Sequence, residues 1–172
     1  RSLLSGLDAV DGLRAVVLDA DAINALARHR GWATWSSVPR VLTPHPGELA
    51  RLLGTSVATV QADRLDAALR AARETRSVVV LKGAGTIIAT PEGRAGVSRI
   101  ANPMLATGGT GDVLGGVLVG LLAQGAPPFE AACTAVYLHA VAAAEVEREL
   151  GAAPGLAQDL LRALPAARRT LD

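Results

Sequence analysis

Two kinds of hydrophobic pattern alternate along the chain. Short β-branched runs, typical of buried strands, are followed by stretches in which apolar residues return every three or four positions, as on one face of a helix. The pattern predicts strands over Arg14–Ala20, Arg40–Thr43 and Ser77–Leu81, and a hairpin of Gly85–Thr90 and Ala95–Arg99 around the turn residues PEGR. It predicts helices over Ala22–Arg30 (with Asp21 as its cap), Gly47–Leu53, Thr59–Thr75, from Thr110 to a stop at Gly125, Phe129–Leu150 and Gly155–Leu164.

Strands that alternate with helices and are followed by a helical layer indicate a three-layer α/β fold, with a mostly parallel central sheet flanked by helices. A length of 172 residues allows one such unit, so residues 1–172 are expected to form a single domain or part of one. Ligands in sheets of this kind bind beyond the carboxyl ends of the strands. Three polar clusters begin where predicted strands end, which favours a functional role for each: Asp19–Asn24, Thr43–Glu48 and Lys82–Thr86.

The composition argues against several classes of protein. With 17 basic and 16 acidic residues and 2% aromatics, the chain has neither the charge nor the stacking surfaces for nonspecific nucleic-acid binding. The longest apolar run, around Val113–Ala123, falls short of the roughly 20 residues that cross a bilayer, which predicts no membrane span. The single cysteine, Cys133, is interpreted as a small buried residue, and together with the absence of a signal-like start it favours the cytoplasm.

The most specific signal is the glycine-rich segment Asn102–Gly116, NPMLATGGTGDVLGG, which precedes an apolar helix. Glycines let backbone N–H groups approach an oxyanion, and the helix start adds partial positive charge, so the segment predicts an anion hole for phosphate. It is neither a Walker loop nor the dinucleotide pattern G-x-G-x-x-G. The same helix field keeps Asp112 ionised and able to accept a proton, which makes it the candidate base. The alternative is that Asp112 only caps its helix and the glycines form a tight turn.

The string NPMLATGGTGD closely resembles the signature of ribokinase-like small-molecule kinases. Within that superfamily, the set LDADAIN, TPHPGELARLLG, VVLKGAGTIIA and NPMLATGGTGDVLGGVLVGLLAQG resembles the ADP-dependent NAD(P)H-hydrate dehydratases, which repair hydrated nicotinamide cofactors. The resemblance runs from about Val16 to Ala144. It implies a ribokinase-like fold whose N-terminal part is absent, since the family domain normally has a substantial segment before LDADAIN. We therefore expect a fragment or a truncated form, and Arg1 in place of an initial methionine favours the fragment.

The resemblance also implies an activity. In that family ADP phosphorylates the hydroxyl of (S)-NAD(P)H-hydrate, Mg²⁺ accompanies the phosphoryl transfer, and elimination of phosphate returns NAD(P)H. The implied partners are therefore small molecules, namely ADP and the hydrates of NADH and NADPH. A homo-oligomer is expected, as is fusion to an NAD(P)H-hydrate epimerase domain in a longer product.

The resemblance assigns roles to individual residues. The aspartate matching Asp112 contacts the substrate hydroxyl as the base, and the histidine matching His45 contacts the hydrated cofactor. The N–H groups of Gly109, Thr110 and Gly111 form the anion hole. The AMP part of the nucleotide lies against Lys82, Gly83, Ala84, Gly85, Thr86 and Gly111. Metal ligands stay unknown, because Asp19, Asp21 and Asn24 suit either magnesium or a helix cap.

The sequence is also compatible with two other functions. A vitamin-precursor kinase of the same superfamily, acting on a hydroxymethylpyrimidine, a thiazole or pyridoxal, would share GTGD and the anion hole. The other alternative is a protein without catalytic activity, namely a truncated scaffold that binds nucleotide. His29 and His139 are interpreted as structural or surface residues. No zinc site is predicted, because no Cys or His companion stands at ligand spacing.

Overall fold

The computed structural model describes residues 6–29, 36–151 and 155–171. Within these ranges the strands are Val16–Leu18 (β1), Arg40–Leu42 (β2), Val78–Leu81 (β3), Ile87–Ala89 (β4) and Ala95–Val97 (β5). The helices are Ala20–Ala27 (α1), Pro46–Leu53 (α2), Val57–Ala62 (α3), Arg64–Thr75 (α4), Thr110–Ala123 (α5), Pro128–Leu150 (α6) and Ala157–Arg168 (α7). Short 3₁₀ turns cover Leu7–Ala9, Pro103–Ala106 and Arg169–Leu171.

The strands form one mixed sheet in the order β1-β2-β3-β4-β5. β1, β2 and β3 pair in parallel, and β3–β4 and β4–β5 pair antiparallel, so β4 runs against the other four strands. The predicted hairpin is therefore confirmed as β4 and β5. Because β1, β2 and β3 are parallel, their carboxyl ends meet at the same edge of the sheet, which is where the predicted polar clusters begin.

Helices cover both faces of this sheet, which confirms the three-layer α/β architecture. In β3, Val79 and Leu81 pack with α1 to α4, whereas Val78 and Val80 pack with α5 and α6 on the opposite face. This alternation is the period of two expected for a strand buried on both faces. α7 packs on α5 and α6 in a further apolar cluster around Leu160, so it lies outside the sheet layers.

The predicted helix Thr59–Thr75 is wrong as one unit, because the structure divides it into α3 and α4. Asp63 leaves the helical conformation (φ −143°, ψ 86°), and its carboxylate accepts a hydrogen bond from the Asp66 amide at 2.9 Å. The apolar period continues across the break, since α3 and α4 present Val60 and Ala68 to the same core. Asp63 therefore ends α3 and caps the start of α4, while the hydrophobic period of the sequence continues through both helices.

The first helix also differs from its prediction. α1 begins one residue after Asp19, at Ala20, so Asp21 lies in its first turn and does not cap it. The helix ends at Ala27, with Arg28 as its C-terminal cap, so the predicted extension toward Arg30 is wrong over the described residues, and Arg30 itself lies outside them.

Helix α6 is long and apolar enough to cross a membrane, judged by length and composition alone. Core helices meet the same test, and 61% of its apolar window is buried inside the protein. Its apolar residues therefore pack against the sheet and α7.

Candidate active site

A cleft of ≈ 730 Å³ opens beside the carboxyl ends of β2 and β3 and the start of α5. Chain segments that are far apart in sequence meet there, because the parallel strands deliver their terminal loops to one edge. Of the residues predicted for the site, the cleft is lined by His45, Lys82, Gly83, Ala84, Thr86, Gly109, Thr110 and Gly111. Gly85 and Asp112 are not among the lining residues.

His45 is fixed by its place at the start of α2. Its Nδ1 accepts hydrogen bonds from the amides of Gly47 at 3.0 Å and Glu48 at 3.4 Å. In return, Glu48 Oε2 accepts from the His45 amide at 2.8 Å, which completes a capping box. Since Nδ1 accepts, the ring proton is assigned to Nε2. His45 thus combines a structural role in the turn with a place in the cleft wall, and its side chain is 51% exposed.

Lys82 lies at the end of β3 and pairs with Asp19 at the end of β1. The Nζ to Oδ1 distance is 2.8 Å, and each side chain is 23% exposed. A Cβ placed on Gly111 would lie 3.5 Å from Lys82 Nζ and 3.8 Å from Asp19 Oδ2. The pair therefore lies against the first turn of α5, and Lys82 is the chain's only lysine. The sequence predicted Lys82 but not its partner, because the two residues are 63 positions apart.

The loop after Lys82 depends on glycine for its path and on a half-buried arginine for support. Gly83 and Gly85 have φ of +136° and +65°, values that side chains rarely permit. Arg64 Nη2 donates to the carbonyl oxygens of Leu81 and Lys82, both at 3.3 Å, and a Cβ on Gly83 would lie 3.1 Å from that nitrogen. Desolvation by burial lowers the pKa of the Arg64 guanidinium from its ordinary value. Sequence analysis did not single out Arg64.

The predicted anion hole has two open donors rather than three. The Thr110 amide already donates to the Thr107 carbonyl at 3.3 Å, which corrects the prediction that this N–H is free for an anion. Within the described part of the chain, the amides of Gly109 and Gly111 donate no hydrogen bond, and both residues line the cleft. Gly109, with φ +87°, lets the chain turn sharply into α5. The helix start therefore presents two N–H groups and its partial positive charge to the cleft.

Asp112 occupies the first turn of α5 but faces solvent. Among the described residues, its carboxylate has no hydrogen-bond or ion-pair partner. The exposed face of α5 that begins with Asp112 continues through small and apolar residues, namely Gly116, Val119, Gly120 and Ala123. The prediction placed Asp112 at the mouth of the anion hole, whereas the structure places it one residue beyond the cleft wall, on the outer face of the helix.

His139 is a cleft residue that sequence analysis left aside as structural or surface. It is buried, with 7% exposure, and its Nε2 lies 2.8 Å from the Thr110 carbonyl oxygen. Desolvation lowers the pKa of His139 from the ordinary 6.5, the hydrogen bond to Thr110 raises it, and the Lys82 charge lowers it. The net shift is downward, so the ring is neutral near pH 7.

The acidic cluster after β1 does not fit a protein-built magnesium site. Asp19 is paired with Lys82, and Asn24 Oδ1 accepts from Arg51 Nε at 2.8 Å. Asp21 and Asn24 line a separate shallow depression with Arg28 and Arg51. No group of three or more His, Cys, Asp or Glu side chains in residues 6–29, 36–151 and 155–171 is arranged to hold a metal ion.

Cys133 is half-buried beside the sheet, and burial raises the pKa of its thiol. A raised pKa disfavours the thiolate, which agrees with its interpretation as a small packing residue.

A family model described as NAD(P)H-hydrate dehydratase matches residues 7–166. The chain belongs to the NAD(P)H-hydrate dehydratase family. All the lining segments of the cleft lie inside the matched range.

Curated relatives within this family share more than two fifths of the matched residues. The ADP-dependent (S)-NAD(P)H-hydrate dehydratase of Neisseria meningitidis is 47% identical over 148 residues, covering 83% of this chain and 49% of that protein. The bifunctional NAD(P)H-hydrate repair enzyme Nnr of Moorella thermoacetica is 49% identical over 156 residues, covering 91% of this chain and 29% of that protein. The chain thus spans about half or less of the length of these relatives.

Solved structures confirm the ribokinase-like fold. The ADP/ATP-dependent NAD(P)H-hydrate dehydratase of Bacillus subtilis, co-crystallised with ATP/Mg²⁺, matches with a TM-score of 0.81 and 37% identity, over 92% of this chain and 55% of that one. A hydroxyethylthiazole kinase of Pyrococcus horikoshii matches with a TM-score of 0.66 and 22% identity, over 86% of this chain and 58% of that one, a likeness of fold alone.

Proposed function

We propose that this chain forms the nucleotide and phosphoryl-transfer half of an ADP-dependent (S)-NAD(P)H-hydrate dehydratase. The observation that carries the proposal is the convergence of the HPGE, KGAGT and GGTGD segments around one cleft, in a chain of this family. The Neisseria meningitidis relative is named for ADP, which supports ADP as the phosphoryl donor.

The chemistry has two stages. The hydroxyl oxygen of the hydrated ring attacks the β-phosphorus of ADP, a C–O–P linkage forms, and AMP leaves while the hydroxyl proton passes to a base. The ring-nitrogen lone pair then expels phosphate, and loss of a proton from the adjacent ring carbon restores the double bond. The products for each hydrate are one NAD(P)H, one AMP and one phosphate. Phosphorylation drives the dehydration because phosphate leaves more easily than hydroxide.

The roles of the cleft residues are inferred from their positions, and those of Gly85 and Asp112 from the family resemblance. The open amides of Gly109 and Gly111, backed by the positive end of α5, stabilise charge on the migrating phosphoryl group. The Lys82 ammonium, next to Gly111, contacts the nucleotide phosphates, and Gly83 to Thr86 hold the adenosine part. His45 Nε2–H, which lies 3.4 Å from Glu48 Oε1 in this structure, donates to the hydrated cofactor when the substrate is bound. Asp112 takes the hydroxyl proton from a substrate that extends across the first turn of α5.

Magnesium enters the proposal with the nucleotide. Mg²⁺ keeps several water ligands and binds phosphate oxygens readily, so it does not need a cage of protein carboxylates. None of the residue roles above depends on the ion.

The test is a reaction of purified protein with hydrated NADH and either ADP, ATP or no nucleotide. We expect recovery of the dihydronicotinamide absorbance only with a nucleotide, together with one AMP and one phosphate per NADH when ADP is used. A stable phosphorylated alcohol from a hydroxymethylpyrimidine, thiazole or pyridoxal substrate would support the kinase instead. Nucleotide binding by calorimetry without any turnover would support the inactive scaffold.

Gly47→Ala tests the placement of His45. A Cβ at Gly47 would lie 2.8 Å from His45 Cε1, so the imidazole has to move. Loss of the cap costs about 1 kcal/mol and the better helix propensity of alanine returns a similar amount, so the free energy of unfolding changes little. We expect the KM for the hydrated cofactor to rise several-fold in a steady-state assay.

Gly116→Ala on α5 is the matched control, because a Cβ there meets no atom within 4 Å. It is expected to raise the melting temperature slightly and to leave KM unchanged. An unchanged KM for Gly47→Ala would remove His45 from the substrate site.

Three further expectations belong to this proposal. Residues 1–172 form one part of a larger ribokinase-like domain in the cytoplasm. The complete protein assembles as a homo-oligomer. Fusion to an epimerase domain is supported by relatives named as bifunctional repair enzymes.

A further inference from the structure

The buried contact between His139 and the Thr110 carbonyl has a consequence for the anion hole. A carbonyl oxygen accepts hydrogen bonds and cannot donate them, so His139 Nε2 carries the proton in this 2.8 Å contact. The ring is held by burial in α6 at 7% exposure, and it reaches across to the first residue of α5. His139 is therefore a rigid donor from one helix to the start of another.

The Thr110 carbonyl and the Gly111 N–H belong to the same peptide unit. That unit is planar and trans, so its C=O and N–H point in opposite directions. A donor that fixes the carbonyl from one side therefore fixes the direction of the N–H on the other. The Gly111 N–H is one of the two open donors among the three residues predicted for the anion hole.

Thr110 is held from other directions as well. Its hydroxyl lies 2.8 Å from the carbonyl oxygens of both Leu105 and Thr107, and its amide donates to Thr107. With 3% exposure, the residue has no room to rotate. Within α5 the Thr110 carbonyl also takes part in the backbone hydrogen bonding of the helix. The contact with His139 is the side-chain contact on the peptide unit shared with Gly111, since the other contacts named here involve the Thr110 side chain and its own amide.

We propose that His139 is a positioning residue for phosphoryl transfer, which aims the Gly111 N–H at the migrating phosphoryl group through the Thr110–Gly111 peptide plane. A hydrogen bond to the carbonyl also polarises this peptide and strengthens its N–H as a donor. His139 does not itself touch the phosphoryl group. The identity of the anion as a phosphoryl group rests on the proposed function. The hydrogen-bond geometry does not depend on it.

The experiment compares His139→Leu, which removes the donor, with His139→Gln, whose amide nitrogen replaces Nε2 at similar reach. Amide ¹⁵N spectra of the 172-residue chain report the Gly111 resonance, because this nitrogen responds to hydrogen bonding at the preceding carbonyl. Inorganic phosphate and ADP are titrated into each variant. His29→Gln serves as the control, since His29 is exposed and does not line the cleft.

We expect His139→Leu to shift the Gly111 resonance and to weaken phosphate and ADP binding by roughly tenfold, the value of one hydrogen bond. In the presence of hydrated NADH, kcat should fall by roughly tenfold while the KM for the hydrate is unchanged. His139→Gln should restore the resonance and most of the affinity. If His139→Leu does not fold, His139→Asn, whose amide is too short to reach Thr110, carries the same expectation.

A folded donor-free variant with the wild-type Gly111 resonance and phosphate affinity would overturn the proposal. The resonance and the phosphate titration need no hydrate and no turnover. They therefore test the role of His139 even if the protein does not dehydrate NAD(P)H-hydrate. Failure of the proposed dehydratase function would appear only in the assay with hydrate.

Discussion

Replacing Asp112 with asparagine is expected to abolish turnover while leaving folding and nucleotide binding intact. Asparagine has nearly the same shape as aspartate but cannot accept a proton at neutral pH, so the loss should be about 10²- to 10⁴-fold in kcat. The carboxylate is exposed and has no hydrogen-bond or ion-pair partner among the described residues, so its replacement breaks no internal hydrogen bond. Recovery of NADH absorbance and calorimetry with ADP measure the two properties separately.

Asp66→Asn provides a control that matches Asp112→Asn in local structure. Asp66 is also an exposed aspartate at the third position of a helix, α4, and it does not line the cleft. Both substitutions remove a negative charge from a helix start and should lower the melting temperature slightly. Only Asp112→Asn should affect turnover. Near-normal turnover in that variant would exclude Asp112 as the base.

Replacing Lys82 with alanine is expected to weaken ADP binding by roughly 10- to 100-fold, the range for a charge-assisted hydrogen bond to phosphate. Two causes act together. The ammonium is lost, and the Asp19 carboxylate 2.8 Å away is left without its partner and repels the incoming phosphates. We therefore expect the double variant Lys82→Ala/Asp19→Asn to bind ADP more tightly than Lys82→Ala and less tightly than the wild type.

Calorimetry with ADP and AMP measures these affinities. Arg73→Ala removes one positive charge from an exposed position in α4, outside the cleft, and should leave binding unchanged. Because Lys82 is the only lysine, reductive ¹³C-methylation also places one side-chain probe at this site for nucleotide titration by NMR. An ADP dissociation constant unaffected by Lys82→Ala would place the nucleotide elsewhere.

Local patterns predicted most elements of the fold. The run Ser77–Leu81 became β3, PEGR became the turn between β4 and β5, and the apolar stretch after Thr110 became α5. These succeed because strand and helix periods are properties of neighbouring residues. The division of α3 from α4 was missed because Asp63 changed the backbone at one residue while the apolar period continued.

The site was predicted as motifs rather than as contacts. TPHPGE, KGAGT and GGTGD are each continuous in sequence, so their chemistry is visible before folding. The pairing of Lys82 with Asp19, the support of Lys82 by Arg64 and the contact of His139 with Thr110 span 63, 18 and 29 positions, and no local pattern encodes them. These three contacts depend on how the helices pack against one another and against the ends of the strands.

The sequence by itself determined the alternation of strands and helices, because short-range spacing and backbone preference specify it. Its motifs also carried the resemblance to the family and the prediction of a phosphate-binding segment. Only the folded structure showed which backbone amides stay open: the Thr110 amide donates to the Thr107 carbonyl, whereas the amides of Gly109 and Gly111 donate to no group in the described ranges. It also decided that α5 turns Asp112 outward to solvent and Thr110 inward to His139. The side of a helix that is buried is fixed by its apolar contacts with the sheet, and polar residues near the helix start must follow that choice.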